Sequence, residues 1–147
     1  MKRWCLFGAT LAVFLIASST RAVIIPIDVF DFDFGNATTG THIDPIINLG
    51  DTIEWRWMSG FHNARSVIGS PEVFDSGHHS PPFTFQHTYT NLGTFWYYCD
   101  LHGGDNGNGT ASGMSGRVTV VPEPASLVGL GIAALGVLRL RRRTARA

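Results

Sequence analysis

Thr94-Phe95-Trp96-Tyr97-Tyr98-Cys99 is the stretch on which the fold turns. Phe95, Tyr97 and Cys99 fall on one parity, the period of a strand with one face buried. The turn Asn91-Leu92-Gly93 precedes it, and before that Phe83–Tyr89 sets Phe83, Phe85, His87 and Tyr89 against Thr84, Gln86 and Thr88. Thr52–Met58 places Ile53, Trp55 and Trp57 on one face and Thr52, Glu54 and Arg56 on the other. Val23–Val29 alternates on odd positions, and the apolar parity then flips to Phe30, Phe32 and Phe34, which predicts a bulge or strand switch near Val29-Phe30. Ile43–Leu49 reads as another strand, and Arg117–Val121 closes the series with Val118 and Val120 inward. No amphipathic helix and no internal repeat interrupts the pattern. Short alternating strands with Gly, Asn, Asp and Pro turns predict an all-β, antiparallel sandwich. Ser76–Pro82 cannot be a central strand, and the Gly-, Asn- and Asp-rich Gly103–Gly113 predicts a flexible loop.

Both ends of the 147-residue chain differ from this core. Residues 1–22 begin with Lys2 and Arg3, run apolar through Leu6–Ile16 and end small and polar at Thr20-Arg21-Ala22, the layout of a cleaved signal peptide. Cys5 would leave with it. After Val121 come Pro122-Glu123-Pro124, the apolar Ala125–Leu140 and Arg141-Arg142-Arg143. The apolar stretch is short for a membrane span, and the arginines would stay on the cytoplasmic side. These three parts, in order over residues 122–147, resemble the PEP-CTERM sorting signal of Gram-negative bacteria. The resemblance implies a short hydrophobic helix, a transient membrane tether removed by an exosortase-type protease, and a product at the cell surface or in the extracellular matrix. An ordinary C-terminal anchor is the competing reading.

The domain between these ends is residues 23–121. It holds three arginines and no lysine against ten carboxylates, a net charge of −7, whereas the whole chain balances at zero. Such a domain repels phosphate backbones, which argues against nucleic-acid binding. It also holds one cysteine, Cys99. An unpaired thiol in an exported protein needs an explanation. It is either a buried inert cysteine or a metal-bound thiolate.

The neighbours favour the metal. His62 follows the Trp55/Trp57 strand, His102 lies three positions beyond Cys99 at what reads as a strand end, and Met114 opens the last predicted strand. Two imidazoles and a thiolate in a plane, with a weak axial thioether, make a type 1 copper centre. His62 must arrive from another strand, because no local turn supplies a third equatorial ligand.

Gly50-Asp51-Thr52-Ile53-Glu54-Trp55, His62-Asn63, Gly93–Cys99, His102 and Gly113-Met114-Ser115-Gly116-Arg117-Val118-Thr119-Val120, in that order, resemble the plastocyanin/azurin group of cupredoxins. The resemblance spans residues 23–121. It implies a Greek-key β-sandwich with one copper ion at one end, ligated by His62, Cys99, His102 and Met114. It also implies that Asn63 pins the ligand loops by hydrogen bonding. The chain departs from plastocyanins in one place. Eleven residues separate His102 from Met114, where plastocyanins have four. The extra closure entropy is about 0.9 kcal/mol, small beside a metal-binding free energy of roughly 10 kcal/mol.

Other residues read more blandly. Zinc usually takes more cysteines or short paired spacings. Met58 lacks the Gly-Met-x-Gly context of Met114. His78 and His79 read as a solvated loop, His87 as a satisfied core histidine, and His42 carries no signal. The function implied is a one-electron carrier outside the cytoplasm, with a basic redox partner suiting the acidic surface. The alternative is a copper-binding surface or matrix module without an electron-transfer role. A copper enzyme would need further histidine-rich sites, and the chain has no His-x-His.

Overall fold

The computed structural model describes residues 21–123. The apolar run of the predicted signal peptide and the predicted C-terminal helix lie outside them. The described residues form nine strands: β1 (Ile24–Phe30), β2 (Asp33–Asn36), β3 (Thr41–His42), β4 (Ile46–Asn48), β5 (Thr52–Trp57), β6 (Arg65–Ser66), β7 (Thr84–Thr88), β8 (Gly93–Asp105) and β9 (Ala111–Val121). One sheet has the order β3-β2-β1-β5-β7 and the other β4-β9-β8-β6. Alternation along β5 buries Ile53, Trp55 and Trp57. They meet Ile27, Val29 and Phe34 from their own sheet and Phe95, Tyr97, Cys99, Val118 and Val120 from the facing one. Full burial of a large apolar side chain contributes about 1.5–3 kcal/mol, so this layer between the sheets holds the sandwich together.

Most neighbouring strands are antiparallel, as the alternation predicts. Two pairs are parallel, β1 with β5 and β4 with β9. Short hairpins cannot make parallel pairs, so these record the longer returns of the chain. At the start of β1 the buried Asp51 carboxylate accepts hydrogen bonds from the backbone N–H of Val23 at 2.8 Å and of Asn48 at 2.9 Å.

Four local expectations are corrected. Of the bulge or strand switch expected near Val29-Phe30, the structure has no bulge, and the chain changes there from β1 to β2. Phe30 pairs with Asp33, and Asp31-Phe32 make a two-residue turn with φ of 38° and 66°. Ile43–Leu49 is not one strand. The chain leaves the first sheet after His42 and enters the second at Ile46, with Pro45 between them. Cys99 does not end a strand, because β8 continues to Asp105 through an irregularity between Tyr98 and Gly103. Gly103–Gly113 is not a loose loop. Gly103, Gly104 and Asp105 pair with Gly113, Ser112 and Ala111, so Met114 lies inside β9 rather than at its start. This hairpin is anchored by Asp105, whose carboxylate accepts from the Ile68 N–H at 2.6 Å, and by Ala111, packed with Val67, Tyr98 and Trp96.

Candidate metal centre

Strand β5 delivers the chain to His62 after Trp57, and Trp57 then fixes what it delivers. Its indole Nε1–H donates to the His62 carbonyl at 2.9 Å. The His62 backbone also exchanges hydrogen bonds with His79, at 3.1 and 2.9 Å. His79 stacks on Phe83 with ring centroids 3.5 Å apart. It is therefore a strut of the His62 loop, not the free loop residue its sequence context predicts. His78 bonds Asp100 at 2.7 Å and stacks on Phe61.

The irregularity in β8 turns Cys99 and His102 toward His62. The His62 and His102 Nδ1 atoms are 3.0 Å apart, and the Cys99 Sγ lies 3.4 Å from His102 Nδ1 and 3.8 Å from His62 Nδ1. Three such donors around a planar metal, with bonds of about 2.0–2.3 Å, stand about 3.6 Å apart. The observed triangle fits an ion at its centre. Cys99 and His62 are buried and His102 is exposed. Burial, and then the neighbouring His102, push His62 below the usual imidazole range, against a smaller opposing pull from Asp31. A neutral imidazole offers its lone pair to a metal at neutral pH.

Asn63 ties the His62 loop to the Cys99–His102 segment and to Asp75. Its Oδ1 accepts from the Asp100 N–H at 2.9 Å and its Nδ2 donates to Asp75 at 3.3 Å. Arg65 bonds the Asp100 carboxylate at 3.0 Å. Met114 is 2% exposed and belongs to the same core as Cys99. Met58 is exposed. His87, as its position predicts, is satisfied by a buried partner, Glu72, at 2.8 Å. His42 proves to be clamped between Asp33 at 2.6 Å and Asp44 at 3.1 Å.

Three residues beside the site are not marked by the sequence as part of it. Phe32, Phe61 and Leu101, each more than half exposed, line a groove of about 330 Å³ with Asp31, Gly60, His62 and His102. They come from the β1–β2 turn, the loop after β5 and the irregular part of β8, so only the folded chain collects them.

Residues 120–143 match the PEP-CTERM protein-sorting motif, a mark of proteins exported to the cell surface of Gram-negative bacteria. No curated protein matches the chain. Among solved structures it is similar to a Cu(I) amicyanin variant with methionine replaced by glutamine. The identity is 20%, over 67% of this chain and 82% of that one, with a TM-score of 0.50. It is likewise similar to a reduced amicyanin variant with tryptophan replaced by tyrosine. There the identity is 19%, over 71% and 87%, and the TM-score is 0.50. The fold is a cupredoxin-like β-sandwich.

Proposed function

We propose that residues 23–121 form a type 1 copper protein that carries one electron outside the cytoplasm. The observation that carries this reading is the meeting of two imidazole nitrogens with the free thiol Cys99, all within 4.8 Å of one another. His62, Cys99 and His102 would hold the copper, with Met114 as the fourth donor. Copper supplies a Cu(I)/Cu(II) couple in a geometry both states accept. The protein's part is to keep that geometry fixed. Trp57, His79 and Asn63 brace His62 and Asp100 through hydrogen bonds, so little reorganises when the charge changes.

The exposed edge of His102, inside the apolar rim of Phe32, Phe61 and Leu101, is the natural point of electron entry and exit. The net charge of −7 suits a basic redox partner, found through long-range attraction. The export motif supports a route through a signal peptide, a temporary C-terminal tether and exosortase-type cleavage to the cell surface or matrix.

The test is a visible absorption spectrum of residues 23–121 with Cu(II), followed by voltammetry. An intense thiolate-to-copper band that Cys99→Ala abolishes, with a reversible one-electron couple, is expected. A colourless wild type would overturn the copper reading. Colour with electron exchange too slow to detect would leave a binding module.

A further inference from the structure

The turn Asp31-Phe32 is built at a cost. Both residues have positive φ, 38° and 66°. Two-residue hairpin turns of this hand favour Asn or Asp followed by Gly. Asp31 fits that preference and Phe32 does not, since an L-residue with a bulky side chain is strained in the left-handed region. Burial does not offset the strain, because Phe32 is 63% exposed. Strain kept at an exposed position beside a site points to a role in that site.

The Phe32 ring meets His102 edge-on, with centroids 4.6 Å apart and planes at 81°, and His62 at 5.8 Å. Metal-binding histidines are usually oriented by a hydrogen bond from their second ring nitrogen. Here both imidazoles use Nδ1 toward the site, and among the described residues no protein group bonds the Nε2 of either. His62 does not need one. It is 2% exposed, and the backbone at Gly60 comes so close that a Cβ there would strike its Nε2. His102 is exposed, so it lacks the enclosing backbone that holds His62. Among the described residues, the aromatic ring that meets it besides the donors of the site is Phe32, edge-on.

We propose that Phe32 is a positioning residue for the metal centre, its strained turn pressing an aromatic edge on His102 in place of the missing hydrogen bond. This rests on the copper reading above. It predicts opposite effects on fold and site. Phe32→Gly restores the preferred turn chemistry, so the melting temperature of the apoprotein should not fall. The His102 ring should loosen, and Phe32→Tyr should keep it held.

The experiment compares wild type, Phe32→Gly and Phe32→Tyr. Side-chain relaxation of the His102 Cδ2–H in the apoprotein should show a lower order parameter in Phe32→Gly alone, with His87 unchanged as the internal control. In the copper form, transfer to a competing chelator should accelerate tenfold or more in Phe32→Gly and stay near wild type in Phe32→Tyr. Equal His102 order in all three proteins would overturn the proposal. So would a Phe32→Gly apoprotein that melts well below wild type, because Phe32 would then be supporting the fold. A wild type that takes up no copper would sink the metal reading, and the apoprotein measurement would still decide what Phe32 does to His102.

Discussion

Gly103 and Gly113 stand opposite each other in the β8–β9 ladder, with no room between the backbones for a side chain. A Cβ on Gly103 would lie 2.6 Å from the Met114 carbonyl oxygen, and one on Gly113 would lie 2.7 Å from that of His102. This close pair brings His102 and Met114 to the same level although eleven residues separate them. The long insertion is closed off behind it as a hairpin.

Gly113→Ala should therefore damage fold and site together. Gly113 also has a φ of 73°, so alanine adds backbone strain to the clash. The expected loss is about 1–3 kcal/mol, with a shifted or weakened copper band. Gly104→Ala is the control, since a Cβ there meets nothing within 4 Å. Urea unfolding and visible spectra of both variants check this. Equal behaviour of the two would show that the close approach has no consequence.

Asn63→Ala should uncouple the two ligand segments. It leaves the Asp100 N–H without its partner, which costs about 1–3 kcal/mol. Copper affinity should fall roughly 10- to 100-fold, as for other partners of metal ligands. Competition with a chelator of known affinity reads the second effect. Unchanged affinity would assign Asn63 to fold stability alone.

Met114 is tested by potential rather than by colour. A thioether donor of the kind proposed for Met114 is weak, so Met114→Gln and Met114→Leu should both keep the expected thiolate-to-copper band. Glutamine offers a harder oxygen that favours Cu(II) and should lower the potential, whereas leucine removes the donor and should raise it. If voltammetry finds neither shift, Met114 packs beside the metal without binding it.

Glu72 should set part of the acid limit of the fold. Burial alone would raise its carboxyl. Hydrogen bonds from the Asn91 side chain, His87 and the backbone N–H groups of Thr90 and Asn91 outweigh this and hold it below the usual value. A depressed folded value means the stabilisation is complete above the unfolded value and is lost as pH falls through the folded one. Relative to Glu72→Gln, wild type should lose urea resistance more steeply on acidification from about pH 6 to pH 3. Parallel curves would remove Glu72 from the acid response.

How much of this could be read from the chain depends on the range of the interaction. The alternation in Thr52–Trp57 and Phe95–Cys99 is local, and both segments appear as strands with the predicted faces inward. The Cys99-to-His102 spacing is local too, and the structure brings both side chains to His62. The hairpin beyond His102 was illegible because Gly, Asn and Asp favour loops and hairpin turns alike. Only the close pairing of Gly103 with Gly113 separates the two. Phe32 was misread for a related reason. Its place in the alternation marks only a change of face near Val29-Phe30, and nothing local announces a phenylalanine in a left-handed turn. His42 gave no hint because its two carboxylates, Asp33 and Asp44, matter only once the chain has turned them inward to the ring.

The hydrogen bond from Val23 to the buried Asp51 would link the fold to cleavage of the leader that the sequence predicts. In the precursor the donor is a peptide N–H. If the leader is cut after Ala22, the same nitrogen becomes an ammonium, and the contact becomes a charge-assisted one, roughly twice as strong. Removal of the leader would then tighten the finished domain relative to its precursor. Blocking the new terminus by acetylation should cancel the gain, which thermal melts of the free and acetylated proteins at neutral pH would measure.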